Sequence, residues 1–167
     1  TYATGNKFRN NTMNNCGSYV SDGRAGLEYS GQDGLLIHDN TISQPDRGTG
    51  YHGHCIKSVI NYGYSKGVKI YDNTLTVPDY EGNGFEFAVE TWNQWGIEIS
   101  YNVITGAIDL GGHFSGLKGT YDFGASVHDN IIGFNALLPE GVAGIYLEGD
   151  SEEIHIYRNY IKNVSTG

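Results

Sequence analysis

The chain reads as an all-β solenoid, a parallel β-helix. Three observations predict it: an asparagine-centred motif returns at a near-constant interval, apolar residues within it alternate, and glycine is abundant. The recurring residues are Asn11, Asn40, Asn73, Asn102, Asn130 and Asn159, in segments such as "HDNTI" and "YDNTL", separated by 29, 33, 29, 28 and 29 residues. Such an interval marks a repeat protein whose units bury their apolar faces against neighbouring units. A helical repeat fails on the same residues. There is no apolar stripe at three- and four-residue spacing, and each of the 25 glycines would cost a helix about 1 kcal/mol.

The elements of one unit follow in order. Three residues before the asparagine stand Phe8, Ile37, Ile70, Ile99, Val127 and Ile156, and two residues before those stand Leu35, Val68, Ile97, Ala125 and Ile154 in five of the units. Apolar residues two apart make a short strand with one buried face. The asparagine ends it, because a short amide side chain tolerates a left-handed backbone and bonds local amides. Met13, Ile42, Leu75, Ile104, Ile132 and Ile161, two residues on, start a second strand. A third is expected at "GLEY" (26–29), "CIKS" (55–58), "GFEF" (84–87), "AIDL" (107–110) and "GIYL" (144–147). Two or three strands per period over about six turns, each rising roughly 4.8 Å, give a rod on the order of 30 Å long.

With the pattern G-[VIL]-x-[IV]-x-x-N-x-[IL], as in "GVKIYDNTL" and "GIEISYNVI", nearly the whole chain resembles the right-handed parallel β-helix superfamily, the pectate-lyase-like proteins. The resemblance implies a right-handed coil and an internal asparagine ladder, each amide bonding the next turn. The asparagines are therefore expected to be scaffold.

By length this is one domain, residues 1–167, and a chain opening "TYATGN" is expected to be processed or excised from a longer one. No apolar run approaches the roughly 20 residues that span a bilayer. High asparagine, glycine and tyrosine with two cysteines suit an extracellular protein, secreted or on the cell surface. Cys16 and Cys55 stand at different offsets in their repeats, so the sequence leaves their pairing open. A formal net charge of −9 disfavours nucleic acid, which needs clustered cations. It favours a neutral polysaccharide, or an acidic one bridged through Ca²⁺.

In a parallel stack, equivalent outward positions form rows, and one row gathers titratable groups: Glu28, Lys57, Glu86, Asp109 and Tyr146. Around it lie His52 and His54, Glu90, Trp92 and Trp95, and His113. Carboxylates beside an imidazole or ammonium can serve acid and base roles on a glycosidic bond. Glu86, Glu90 and Asp109 are the expected acidic groups, with His113 or Lys57 as proton carrier. Trp92 and Trp95 would stack on sugar rings, with His52 and His54 beside them. By resemblance to β-helix polysaccharide lyases, Glu86 and Asp109 would instead hold Ca²⁺ while Lys57 or a histidine abstracts a ring proton. The expected function is thus polysaccharide binding or cleavage, by a lyase or a glycoside hydrolase. The bland alternative is a charge ladder on a solvated face. His38, His128 and His155 read as outward surface residues. A structural role competes: neither end shows an amphipathic capping segment, so copies stacking end to end would form a fibre or adhesin stalk.

Overall fold

The computed structural model describes residues 2–16, 24–44, 53–59, 63–78, 87–111, 122–135, 142–148 and 151–164. Every strand pair in it is parallel, and the strands fall into four sheets that the chain visits in turn. Sheet 1 holds Ala3–Thr4, Gln32–Asp33, Ser65–Lys66 and Gln94–Trp95. Sheet 2 holds Lys7–Arg9, Leu36–His38, Lys69–Tyr71, Glu98–Ser100, Ser126–His128 and His155–Tyr157. Sheet 3 holds Thr12–Asn14, Thr41–Ser43, Thr74–Thr76, Val103–Thr105, Ile131–Gly133 and Tyr160–Lys162. Sheet 4 holds Arg24–Tyr29, Gly53–Ser58, Phe87–Thr91, Ala107–Leu110 and Ile145–Leu147.

Each turn therefore carries four strands, one or two more than the sequence suggested. The expected six turns become four complete ones, set by the four strands of sheet 1, followed by rungs that continue on fewer faces. The core lies inside the coil. Ile37, Ile70, Ile99 and Val127 stack in register and are fully buried, as are Ile42, Leu75 and Ile132 on sheet 3. Burying each such side chain contributes roughly 1.5–3 kcal/mol, and the β-branched shape suits the pleat. Among the described residues no helix is long and apolar enough to cross a membrane.

The asparagines form the expected ladder. Asn73 Nδ2 donates to Asn102 Oδ1 at 2.9 Å, and to the carbonyls of Tyr71 and Ile37. Its own Oδ1 accepts from the amide and the side chain of Asn40. The same bonds link Asn102 to Asn130 and Asn130 to Asn159. The left-handed residue, however, is the one before each asparagine: Asn10, Asp39, Asp72, Tyr101, Asp129 and Arg158 have φ between 53° and 56°. The ladder residue needs its side chain turned inward, so its predecessor makes the corner.

Gly133 closes sheet 3 at φ +142°, and a Cβ there would stand 1.9 Å from the Lys162 carbonyl oxygen. Gly133→Ala is expected to cost on the order of 3 kcal/mol, since backbone must move and the new residue is strained. Urea unfolding checks this; a loss under about 0.5 kcal/mol would mean that the last rung is loosely held.

Candidate functional site

On the outer face of sheet 4 the register aligns Glu28 with Lys57, Lys57 with Glu90, Glu90 with Asp109, and Asp109 with Tyr146. The row foreseen in the sequence exists, with one correction. The described strand is Phe87–Thr91, and in it Glu90 occupies the position between Lys57 and Asp109 that was expected for Glu86. Glu86, His52 and His113 lie outside the described residues.

The row is not a solvated face. Glu90 is 3% exposed and Asp109 0%, so each charge there must be matched or removed. Glu90 is matched. Its Oε2 lies 2.5 Å from Lys57 Nζ and 3.2 Å from His54 Nε2, while its Oε1 accepts from Trp92 Nε1 at 2.9 Å. His54 Nδ1 meets the Phe87 carbonyl at 3.0 Å. Both imidazole nitrogens thus face acceptors, which a doubly protonated ring satisfies. Burial pushes the Glu90 carboxyl up, but the charges of His54 and Lys57 and the bonds from Lys57 and Trp92 outweigh it, leaving it below its ordinary value.

Asp109 is the opposite case. Neither carboxyl oxygen has a hydrogen-bond partner among the described residues. Burial first, then the charges of Glu148, Glu90 and Asp122, push it up to about 8 against a smaller pull from Lys57. It is therefore protonated at neutral pH, one rung from an ionised glutamate. Pairs of carboxyls driven apart in this way are the arrangement that acid–base chemistry uses.

Two neighbours of Asp109 were absent from the sequence reading. Asp122 is fully buried and accepts from the Gln94 amide at 2.9 Å and from the Thr91 hydroxyl. Burial raises it to about 6, and its bonds across the corner between sheets 4 and 1 make it a structural tie. Glu148 follows the last strand of sheet 4, and its amide donates to the Leu110 carbonyl at 2.8 Å. Neither sits in a motif, so no local signal marks them.

The two tryptophans separate. Trp92 is buried at the cluster, with Lys57 Nζ 5.3 Å from its ring centroid. Trp95 is on sheet 1, 43% exposed, stacked on Tyr64 at 4.5 Å and followed by Phe123 at 6.3 Å. One face of its ring is thus covered by the protein, which leaves less of it for a sugar. His38 and His128 lie along sheet 2, each with Nδ1 on the following aspartate and its ring stacked on a tyrosine.

Of the pair expected to hold Ca²⁺, Asp109 is buried on sheet 4 and Glu86 lies outside the described residues. Among the described residues no group of three acidic, histidine or cysteine side chains could hold a metal ion. A groove of about 540 Å³ opens at the other end of the row, lined by Lys7, Phe8, Leu27, Glu28 and Tyr29.

No curated protein and no solved structure matches the chain. The family model described as "right handed beta helix region" matches residues 1–167, the entire sequence. With parallel strands, stacked asparagines and a full-length match in agreement, the chain belongs to the right-handed β-helix family.

Proposed function

We propose that this β-helix engages a polysaccharide outside the cell and cleaves it at the Lys57–Glu90–Asp109 row. The observation that supports the reading is Asp109: a fully buried carboxyl with neither oxygen hydrogen-bonded among the described residues, one rung from a glutamate held by Lys57 and His54. Natural folds rarely leave such a group without a use. In this reading Asp109 delivers a proton to a glycosidic oxygen and Glu90 stabilises developing positive charge on the sugar. Lys57 and His54 hold Glu90 ionised. Trp92 orients it through Nε1.

The test is turnover of a panel of neutral and uronic polysaccharides by the full chain. Asp109→Asn is expected to lower the rate by about 10²–10⁴-fold with the β-sheet circular dichroism signal unchanged. Undiminished cleavage by that variant would overturn the assignment. Products with a new unsaturated end would mark elimination, and ordinary reducing ends would mark hydrolysis.

A second reading has its own observation. Ile156 and Ile161 on the last rung are 41% and 40% exposed, whereas their register partners Val127 and Ile132 are fully buried. That edge accepts a further rung, and a second copy stacked end to end would supply one. Electron microscopy over a hundredfold concentration range decides: filaments support this reading, and single particles throughout remove it.

A further inference from the structure

We propose that the outer face of sheet 3 is a second binding surface, fitted to an ordered, uncharged polysaccharide such as cellulose or chitin. The inference goes beyond the reading above, because it needs no bond cleaved and uses no residue of the sheet 4 row.

Three observations carry it. The first is charge. The chain has 10 basic and 19 acidic residues, and the other three sheets bear ion pairs: Lys66 with Asp33, Lys69 with Glu98, and Lys57 with Glu90. On sheet 3 the first and third residues of each strand face outward, and of these only Lys162, on the last strand, is charged. An ionic partner finds almost no countercharge there, and a neutral one strips almost no charge of its water. Asp39 and Asp72 are exposed at the corner two residues before Thr41 and Thr74, where carboxylates accept bonds from sugar hydroxyls.

The second is composition. The first outward column reads Thr12, Thr41, Thr74, Val103, Ile131 and Tyr160 in unbroken register. All are exposed, the last three by between 43% and 65%. Large apolar side chains in contiguous exposure mark an interaction surface. Threonine offers a methyl and a hydroxyl, and tyrosine adds a ring. A sugar presents the matching pair, C–H faces rimmed by hydroxyls.

The third is regularity. Each strand of sheet 3 directly follows a ladder asparagine, and the links from Asn40 to Asn73 and from Asn73 to Asn102 hold successive strands in place. Six strands stepping by roughly 4.8 Å make a face on the order of 24 Å long. A preorganised face loses little freedom on binding. It suits a ligand that is itself ordered along one axis, whereas a flexible chain needs a groove to wrap it.

The test mixes the full chain with microcrystalline cellulose, chitin and insoluble starch, and measures the fraction that sediments with each solid. We expect retention on at least one of them, undiminished at high salt because no ion pair is involved. Thr74→Lys and Ile131→Lys place a charge on the face, and each should weaken retention by about tenfold or more. Thr4→Lys, the same charge change at an exposed position on sheet 1, should leave it as it is, and urea midpoints of all three should match the native chain. No retention on any solid, or retention that both sheet 3 variants keep, would overturn the proposal. Retention lost in Asp109→Asn would move the binding to the sheet 4 row and overturn it as well. So would dimers in the ultracentrifuge that Ile131→Lys dissolves without any retention, which would give the face to a second copy. Retention that behaves as expected with no glycan cleaved would sink the cleavage reading and leave this face standing.

Discussion

Asn73→Ala is expected to remove on the order of 5 kcal/mol of stability, enough to unfold most of the chain at 37 °C. The side chain takes part in five hydrogen bonds, three as donor and two as acceptor. A buried group left unpaired costs about 1–3 kcal/mol, and alanine removes the acceptor of the Asn40 amide and one partner each from the Asn40 side chain, the Asn102 oxygen and the carbonyls of Tyr71 and Ile37. Small domains have only about 5–15 kcal/mol in total. Asn11→Ala is the control. Asn11 sits on the outermost rung, half-buried, and donates to Asn40 and Arg9, so its loss should cost about 1 kcal/mol. Equal urea midpoints for the two variants would show that the ladder's middle is no more consequential than its end.

The second large effect is on pH dependence, and its sign follows from the raised carboxyls. Asp109 at about 8 and Asp122 at about 6 bind protons more tightly in the folded chain than in the unfolded one. Their contribution is fully present below about pH 4 and is lost as pH rises through those folded values. Glu90 acts the other way: its value is lowered, so its contribution is present above its ordinary range and is lost in acid. Stability should therefore peak in mildly acidic solution and fall toward pH 9, each raised group adding a slope of up to about 1.4 kcal/mol per pH unit. Melting temperatures from pH 4 to pH 9 measure it. Asp109→Asn, which mimics the protonated acid at all pH values, should flatten the alkaline side. A wild-type curve already flat above pH 6 would mean that Asp109 ionises without penalty, against the site assignment.

The fold was legible because its determinants are local and repeated. Alternation around Ile37, Ile70 and Ile99 and the asparagine interval need no long-range information. Sheet 1 was missed because its strands, such as Gln32–Asp33 and Ser65–Lys66, are two residues long and polar, and so show no apolar alternation. The left-handed corner was missed because Asp39, Tyr101 and Arg158 share no chemistry; the conformation is imposed by the inward turn of the next residue. At the site, stacking logic was enough to align Lys57 with Asp109. It could not choose between Glu86 and Glu90, since "GFEF" and "FAVE" alternate equally well. Burial was illegible for a simpler reason. An outward position looks solvated in sequence, whereas Asp109 is fully buried in the fold.

The asparagine ladder has an electrical consequence as well as a mechanical one. In every link the NH₂ group of one rung points to the carbonyl oxygen of the next, from Asn11 through Asn40, Asn73, Asn102 and Asn130 to Asn159. The amide dipoles, each of about 3.5 D as for a peptide unit, thus add head to tail along the axis instead of cancelling. A protein without a helix among its described residues carries the counterpart of a helix dipole. Its negative pole lies at the Asn11 end and its positive pole at the Asn159 end, and an ion travelling along the rod would sense which way it runs.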